Sequence, residues 1–256
     1  YPVFWRKLRI LYYNPQLNIH STQESYTDST YITDLLTEHA VDWLAKRDQS
    51  KPFFMYLSHK AVHSEFAPAK RHKGVYKNEP ISLPSSFRTS DQQVSGKKRI
   101  NNDIETEVNK KEPLKTDTYY GEGRTPDWQK MQRESWHGVD YMYHGQISFP
   151  DFYRSYCETL LAVDESVGAV LKYLDDNGLA ESTLVIYMGD NGFSFGEHGL
   201  IDKRHFYEES AKVPFLIRCP ELFGGGLRPK PMIQNIDVAP TVLEVAGLQL
   251  PKHFHG

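Results

Sequence analysis

A turn rich in oxygen donors, close to residue 190, indicates metal chemistry. The apolar run at residues 184–188 reads LVIYM and stops at GDNG. This pattern is typical of a buried strand that ends in a turn. The turn presents the carboxylate of Asp190 and the amide of Asn191, and such oxygen donors suit a hard divalent cation such as Ca²⁺ or Mg²⁺.

Cationic and titratable side chains follow the same turn. His198, Lys203 and His205 come shortly after Asn191. A lysine can hold an anion, and a histidine can move protons near neutral pH. A metal carboxylate beside a cation fits a site for sulfate or phosphate esters. The structural alternative is that Asp-Asn-Gly after a strand is simply a common turn signal.

A second apolar stretch delivers polar residues in the same way. Residues 53–57 read FFMYL, and His59, Lys60 and His63 follow them. In open parallel sheets, ligands lie outside the carboxyl ends of the strands. We therefore expect these side chains and the turn at Asp190 to open toward the same rim of one sheet.

The pattern of elements predicts an α/β protein. Apolar spacing and end signals indicate three helices: one capped by Thr33 or Asp34, one from Asp151 to Asn177-Gly178, and one from an Asp237 N-cap to Gly247. Continuously apolar strands, the last at residues 213–218, alternate with these helices. The alternation predicts a mainly parallel central sheet with helices on both faces, incomplete at both ends of the chain.

Composition argues against several classes of protein. The 256 residues are 39% hydrophobic and 25% charged, with a formal net charge of −3. The sequence has no dense cluster of basic residues that would favour the binding of nucleic acid. No run of apolar residues approaches the ~20 that span a bilayer. Both ends resemble the middle of a protein, so we expect a fragment. Cys157 and Cys219 are expected as buried thiols, although a disulfide between them stays open.

The segment 67–150 is the least regular part of the chain. Several prolines interrupt it, and residues 95–118 are polar and rich in lysine. We expect a surface excursion there. Aromatic residues toward its end either line a sugar-binding rim or pack in the ordinary way: Trp128, Trp136, Tyr141 and Tyr143.

Four stretches together resemble the sulfatase family of the alkaline phosphatase superfamily. They are residues 51–63, 164–174, 189–203 and 235–241. The resemblance implies that residues 1–66 and 151–256 are parts of the sulfatase catalytic domain. It also implies that residues 67–150 are an irregular, family-specific insertion.

The resemblance further implies roles for individual residues. Asp190 and Asn191 would bind one divalent cation, usually Ca²⁺. Lys203 would contact the sulfate, and His63 would face the leaving oxygen, where it could donate a proton or a hydrogen bond. Three residues would belong to the substrate pocket, with a packing role as the alternative for the last two: His198, His59 and Lys60.

The nucleophile of the family has no match in this chain. It is a formylglycine, made from Cys or Ser in a C/S-x-P/A-x-R motif. Neither Cys157 nor Cys219 is followed by that pattern. We expect the motif, together with two further aspartates of the metal site, upstream of residue 1. The 256-residue chain alone is therefore expected not to hydrolyse sulfate esters.

These features predict a sulfuric ester hydrolase that acts on a sulfated polysaccharide or glycosaminoglycan. A formylglycine-generating or anaerobic sulfatase-maturating enzyme would be a partner of the full-length protein. By resemblance, the protein would be periplasmic, secreted or lysosomal. The alternatives are a phosphatase or phosphodiesterase of the same superfamily, and a non-catalytic glycan-binding relative.

Overall fold

Four helices and six short strands make up the described part of the chain. The computed structural model describes residues 11–63, 65–82, 84, 149–197 and 200–255. The elements are β1 (Gln16–Ile19), β2 (Thr22–Ser25), α1 (Ile32–Lys46), α2 (Phe149–Asp176), β3 (Val185–Met188), β4 (Ser194–Phe195), β5 (Ile201–Asp202), α3 (Glu208–Ala211), β6 (Phe215–Arg218) and, after a 3-10 turn at Asn235–Asp237, α4 (Val238–Val245). The lysine-rich stretch at 95–118, the four aromatic residues after it and His198 lie outside the described residues.

Helices α1 and α2 pack against each other at the centre of the structure. Their apolar residues supply much of the core, as expected when amphipathic helices bury their apolar stripes. The buried apolar side chains of the two helices include Ile32, Leu35, Leu44, Ala162, Val163 and Leu174. The interface also contains one polar contact, because Thr37 Oγ1 lies 2.6 Å from Ser166 Oγ.

Helix α1 begins earlier than the sequence predicts. Its N-cap is Tyr31, without a side-chain hydrogen bond, so the prediction of a Thr33 or Asp34 cap was wrong. Asp34 instead accepts two hydrogen bonds of 2.7 Å from the guanidinium of Arg71. The local pattern assigned the Asp34 carboxylate to the helix N-terminus. In the structure this carboxylate instead forms an ion pair with Arg71 of a distant loop.

The ends of α2 and α4 follow the predicted signals. Gly178, just beyond α2, has a φ of 66°, and the N–H of Leu179 donates to the Leu174 carbonyl oxygen over 2.8 Å. This is a left-handed helix end, which glycine adopts without strain. Asp237 is the N-cap of α4 as predicted, but its carboxylate accepts from the Gln234 N–H over 2.7 Å.

All strand pairs among the described residues are antiparallel: β1 with β2, β3 with β6, and β4 with β5. Parallel pairing is therefore not seen in this part of the chain. The predicted strand at 53–57 was wrong, because no described strand lies beside it to form a ladder. Its side chains still alternate in burial, and Phe54 and Tyr56 are 68% and 83% exposed.

Two further sequence expectations can be compared with the structure. Cys157 and Cys219 are both free thiols, and Cys219 is buried while Cys157 is half-buried. Among the described helices, none is long enough and apolar enough to cross a membrane.

Candidate active site

The turn after β3 holds Asp190 and Asn191 in a defined conformation. The backbone N–H of Asn191 donates to Asp190 Oδ1 over 2.9 Å, and Asn191 Nδ2 donates to the Gly192 carbonyl oxygen over 2.7 Å. Because the amide NH₂ is engaged with the backbone, the amide oxygen of Asn191 remains available as a ligand. The Asp190 carboxylate and the Asn191 amide oxygen therefore belong to one hydrogen-bonded turn after β3.

Gly192 lets this turn lie directly against helix α3. Its N–H donates to the Ser210 carbonyl oxygen over 2.8 Å. A Cβ at this position would lie 2.0 Å from the carbonyl oxygen of Glu209, far inside van der Waals contact. Only glycine permits so close an approach of two backbone segments.

Asn235 supports the same turn from the C-terminal part of the chain. Its Nδ2 donates to the carbonyl oxygen of Asp190 over 3.0 Å. Asn235 opens the fourth of the stretches that resemble sulfatases, but the sequence alone gave it no role. The structure shows that one function of this stretch is to fix the backbone at Asp190.

The β4–β5 ladder carries Lys203 back toward the turn. It pairs Ser194 with Asp202 in antiparallel register, so Lys203 follows the last pair on the side where Asn191 leads into β4. Lys203 is half-buried. Its neighbour Arg204 contacts the buried Asp202 carboxylate at 3.3 Å.

The loop that carries His63 is fixed by backbone hydrogen bonds. The His63 N–H donates to the Lys60 carbonyl oxygen over 2.8 Å, and the Tyr12 hydroxyl donates to the His63 carbonyl oxygen over 2.6 Å. His63 is exposed. The ammonium of Lys60 lies 4.9 Å from the centroid of the Tyr12 ring, and burial lowers the pKa of Lys60. A cation over an aromatic ring is a stabilising contact.

His59, from the same loop, points toward the central helices. Its Nε2 lies 3.1 Å from Ser166 Oγ on α2. Its Nδ1 is buried and has no hydrogen-bond partner among the described residues. Burial lowers the pKa of His59. Burial therefore favours the neutral form of the ring over the charged form.

A cluster of aromatic rings brings the two loops together. Phe66, three residues after His63, has its ring centroid 4.7 Å from Phe152 and 6.0 Å from Phe193. Phe193 is two residues after Asn191. The segment that follows His63 and the segment that follows Asn191 therefore pack together on α2. Among the described residues, the rings of this cluster are Phe66, Phe149, Phe152, Tyr153, Tyr156, Phe193 and Phe195.

The residues of the turn fit part of a cation site. The oxygen donors of Asp190 and Asn191 are of the type that Ca²⁺ prefers, but Ca²⁺ takes six to eight such ligands. Within the described segments, His, Cys, Asp and Glu form no group of three or more that could hold a metal ion. The described donors therefore account for a fraction of a cation's ligands.

A family model described as Sulfatase matches residues 4–248. The chain belongs to the sulfatase family. This confirms the resemblance inferred from the four sequence stretches. Sulfatases in general depend on a metal and a formylglycine, which agrees with oxygen donors at the end of β3.

Two curated sulfatases illustrate the relationship. The chain is 31% identical over 268 residues to an N-acetylglucosamine-6-O-sulfatase of Bacteroides thetaiotaomicron, a match that covers 96% of the chain and 48% of that protein. It is 30% identical over 250 residues to the N-acetylglucosamine-6-sulfatase of Bos taurus, covering 94% and 37%. The chain spans about half, or less, of the length of these relatives.

Solved structures confirm the predicted α/β fold, that of alkaline-phosphatase-like sulfatases. A protein solved with its substrate D-glucosamine-2-N,6-O-disulfate superimposes with a TM-score of 0.70 at 27% identity, covering 96% of this chain and 54% of its own. The yidJ protein of Bacteroides fragilis superimposes with a TM-score of 0.64 at 20% identity, covering 95% and 44%. The second likeness shows the fold alone.

Proposed function

We propose that this chain is part of a sulfuric ester hydrolase whose substrate is a sulfated glycosaminoglycan or related polysaccharide. The 6-O-sulfate of a glucosamine unit is the favoured position. The names of the two curated relatives support this choice, since both act on N-acetylglucosamine sulfate by name. The observation that supports the proposal is the packing of Phe66 on Phe193, which joins the segments that follow His63 and Asn191.

The proposed roles follow from the chemistry of each group. Asp190 and Asn191 would hold one Ca²⁺, and when bound this cation would stabilise negative charge on the sulfate oxygens. Lys203, next to the turn, would hold the sulfate and offset the same charge. His63 is exposed on its loop and would donate a proton to the leaving oxygen.

Other parts of the proposal concern the substrate pocket and the rest of the protein. Lys60 and His198 would line the pocket. Residues 1–66 and 151–256 would belong to the catalytic domain, and 67–150 would be the insertion that adapts it to a substrate. The formylglycine nucleophile would lie in sulfatase sequence beyond this chain, made by a maturating enzyme.

The proposed location is outside the cytoplasm: periplasmic, secreted or lysosomal. A relative named as an extracellular sulfatase homolog of Caenorhabditis elegans, 24% identical over 253 residues, supports this placement.

Sulfate release by the full-length, matured protein tests the proposal. N-acetylglucosamine-6-sulfate and N-acetylgalactosamine-4-sulfate would be compared, with free sulfate measured by ion chromatography. We expect turnover of the 6-sulfate, loss of activity in EDTA and recovery with Ca²⁺. The Lys203→Ala variant should lose about 100-fold or more in kcat/KM. Lys172→Ala, which removes an exposed helix lysine paired with Asp176, serves as the matched control.

The alternatives give different results in the same assay. Hydrolysis of a phosphate diester without sulfate release would support a phosphodiesterase. Binding of the sulfated sugar without turnover would support a glycan-binding relative. The 256-residue chain alone is expected to release no sulfate.

A further inference from the structure

A polar network links the His63 loop to both central helices. Thr37 on α1 lies 2.6 Å from Ser166 Oγ on α2, and Ser166 Oγ lies 3.1 Å from His59 Nε2. Ser166 is 3% exposed. Buried polar groups of this kind are costly unless they are hydrogen-bonded, so the bonds of Ser166 to Thr37 and His59 favour one arrangement of the three side chains.

The direction of the hydrogen bonds follows from the Thr37 hydroxyl. It donates its single hydrogen to the carbonyl oxygen of Thr33 over 2.7 Å, because a carbonyl oxygen can only accept. In the contact of Thr37 with Ser166, the Ser166 hydroxyl is therefore the donor. Ser166 Oγ then accepts from His59 Nε2, which carries the ring hydrogen. His59 Nε2 is thus engaged with α2 and Nδ1 is buried, so neither nitrogen is turned toward a ligand.

His59 also begins the short turn that ends at His63. The turn is closed by the hydrogen bond from the His63 N–H to the Lys60 carbonyl oxygen, and Tyr12 holds the His63 carbonyl oxygen. The contact of His59 with Ser166 is the anchor of this turn on α2. A change in the ring position of His59 would therefore move the backbone that carries the His63 imidazole.

We propose that His59 is a positioning residue: it fixes the His63 loop on α2 through Ser166 and does not contact the substrate. This inference rests on the proposed sulfatase function. It assigns His59 a different role from the substrate-pocket role that the resemblance implies. It also gives Ser166, which the sequence left without a function, a place in the active-site support.

Three substitutions in the full-length enzyme test the proposal. The amide of Gln reaches the position of imidazole Nε2, whereas the shorter Asn does not. Ser166→Ala and His59→Asn should each lower kcat by roughly 10- to 100-fold, because small misplacements of catalytic groups cost rate. Both should leave KM within about twofold, since no substrate contact is lost. His59→Gln should keep most of kcat, and the double variant His59→Asn/Ser166→Ala should be no slower than either single variant. Ser182→Ala, at an exposed serine after α2, is the matched control.

A raised KM for His59→Asn with unchanged kinetics for Ser166→Ala would overturn the proposal in favour of a substrate contact. Amide hydrogen exchange gives a readout that does not depend on activity. Ser166→Ala should speed exchange at residues 59–63, and unchanged exchange there would also overturn the proposal. A full-length enzyme without sulfatase activity would instead contradict the proposed function, while the exchange result would still decide whether Ser166 anchors the loop.

Discussion

The ring centroid of Phe66 lies 6.0 Å from that of Phe193. These residues come from the loop after His63 and the segment after Asn191, which are far apart in the sequence. Both rings also pack with aromatic side chains of the Phe149–Asp176 helix or of the adjacent β4 strand. Packing of these rings therefore holds together the segments that follow the two candidate catalytic loops.

Removing the Phe66 ring should destabilise the protein. Phe66→Ala is expected to lower the free energy of unfolding by about 2–4 kcal/mol, because the ring is half-buried among other rings. Urea unfolding of Phe66→Ala and of a control variant measures the change in the free energy of unfolding. Phe206→Ala is the control, since Phe206 is 97% exposed and should change the free energy by less than ~0.5 kcal/mol. Equal effects of the two substitutions would contradict the packing role.

A methyl group at Gly192 should disrupt the Asp190–Asn191 turn. Its Cβ would lie 2.0 Å from the Glu209 carbonyl oxygen, so the turn must move away from Glu208–Ala211. We expect Gly192→Ala to lower the free energy of unfolding by more than about 2 kcal/mol. Gly224→Ala is the control, because nothing lies within 4 Å of that position. Thermal unfolding measures the melting temperature of both variants. The same melting temperature for the two would contradict the close approach of Gly192 to Glu209.

The Arg71 guanidinium ties the first helix to the long helix. It makes two hydrogen bonds of 2.7 Å to Asp34 and also contacts Glu165. Because the group is partly exposed, we expect Arg71→Ala to cost about 1 kcal/mol at low salt and less at high salt. Arg71→Lys should not retain this stabilisation, since a lysine cannot make the bidentate contact with Asp34.

The control for Arg71 is an exposed pair on the first helix. Lys46 and Asp42 are 74% and 57% exposed, so Lys46→Ala should change the free energy of unfolding by less than about 0.5 kcal/mol. Chemical denaturation at low and high salt measures both variants. An effect of Arg71→Ala no larger than that of Lys46→Ala would show that the Arg71 contacts do not stabilise the fold.

Glu165 should contribute stability that is lost in acid. Its hydrogen bond with Arg71, and after it the contact with His72, hold its pKa below the ordinary value of 4.5. A carboxylate with a lowered folded-state pKa stabilises the fold above its unfolded pKa, and this contribution disappears as the pH falls through the folded-state value. We therefore expect the stability difference between the native protein and Glu165→Gln to be constant from pH 7 to about 5.

Below about pH 4.5 the same difference should shrink, because the Glu165 carboxyl group is then protonated in the unfolded chain while it is still ionised in the native protein. It should disappear once the pH is below the folded-state pKa, where both states are protonated. Unfolding free energies at a series of pH values, measured for both proteins, test this. A difference that persisted at pH 3 would show that the stabilisation does not come from the charge of Glu165.

Local signals in the sequence predicted the parts of the structure that depend on short-range geometry. The stop of the long helix at Gly178 and the turn at Asp190–Asn191 follow from residues adjacent in the chain. The start of the first helix could not be predicted in this way, since the Asp34 carboxylate pairs with Arg71 and does not cap the helix. The strand expected at 53–57 needs a neighbour to pair with, and strand pairing is not encoded in the segment itself.

Contacts between distant segments were the main omission. Nothing in the sequence near Asn235 indicates that its amide binds the Asp190 carbonyl oxygen, and Ser166 reads as an ordinary helix position. Such contacts join residues that are many positions apart, so a pattern within one window cannot reveal them. The Phe66–Phe193 contact belongs to the same class.

A crystal structure of the full-length sulfatase with Ca²⁺ and N-acetylglucosamine-6-sulfate tests the central claim most directly. The account predicts oxygens of Asp190 and Asn191 at about 2.3–2.6 Å from the cation. It also predicts the His63 imidazole and the Lys203 ammonium within hydrogen-bond distance of the sulfate, about 2.7–3.2 Å. His63 or Lys203 more than ~15 Å from the cation, beyond the reach of its ligands and their hydrogen-bonding partners, would contradict the account.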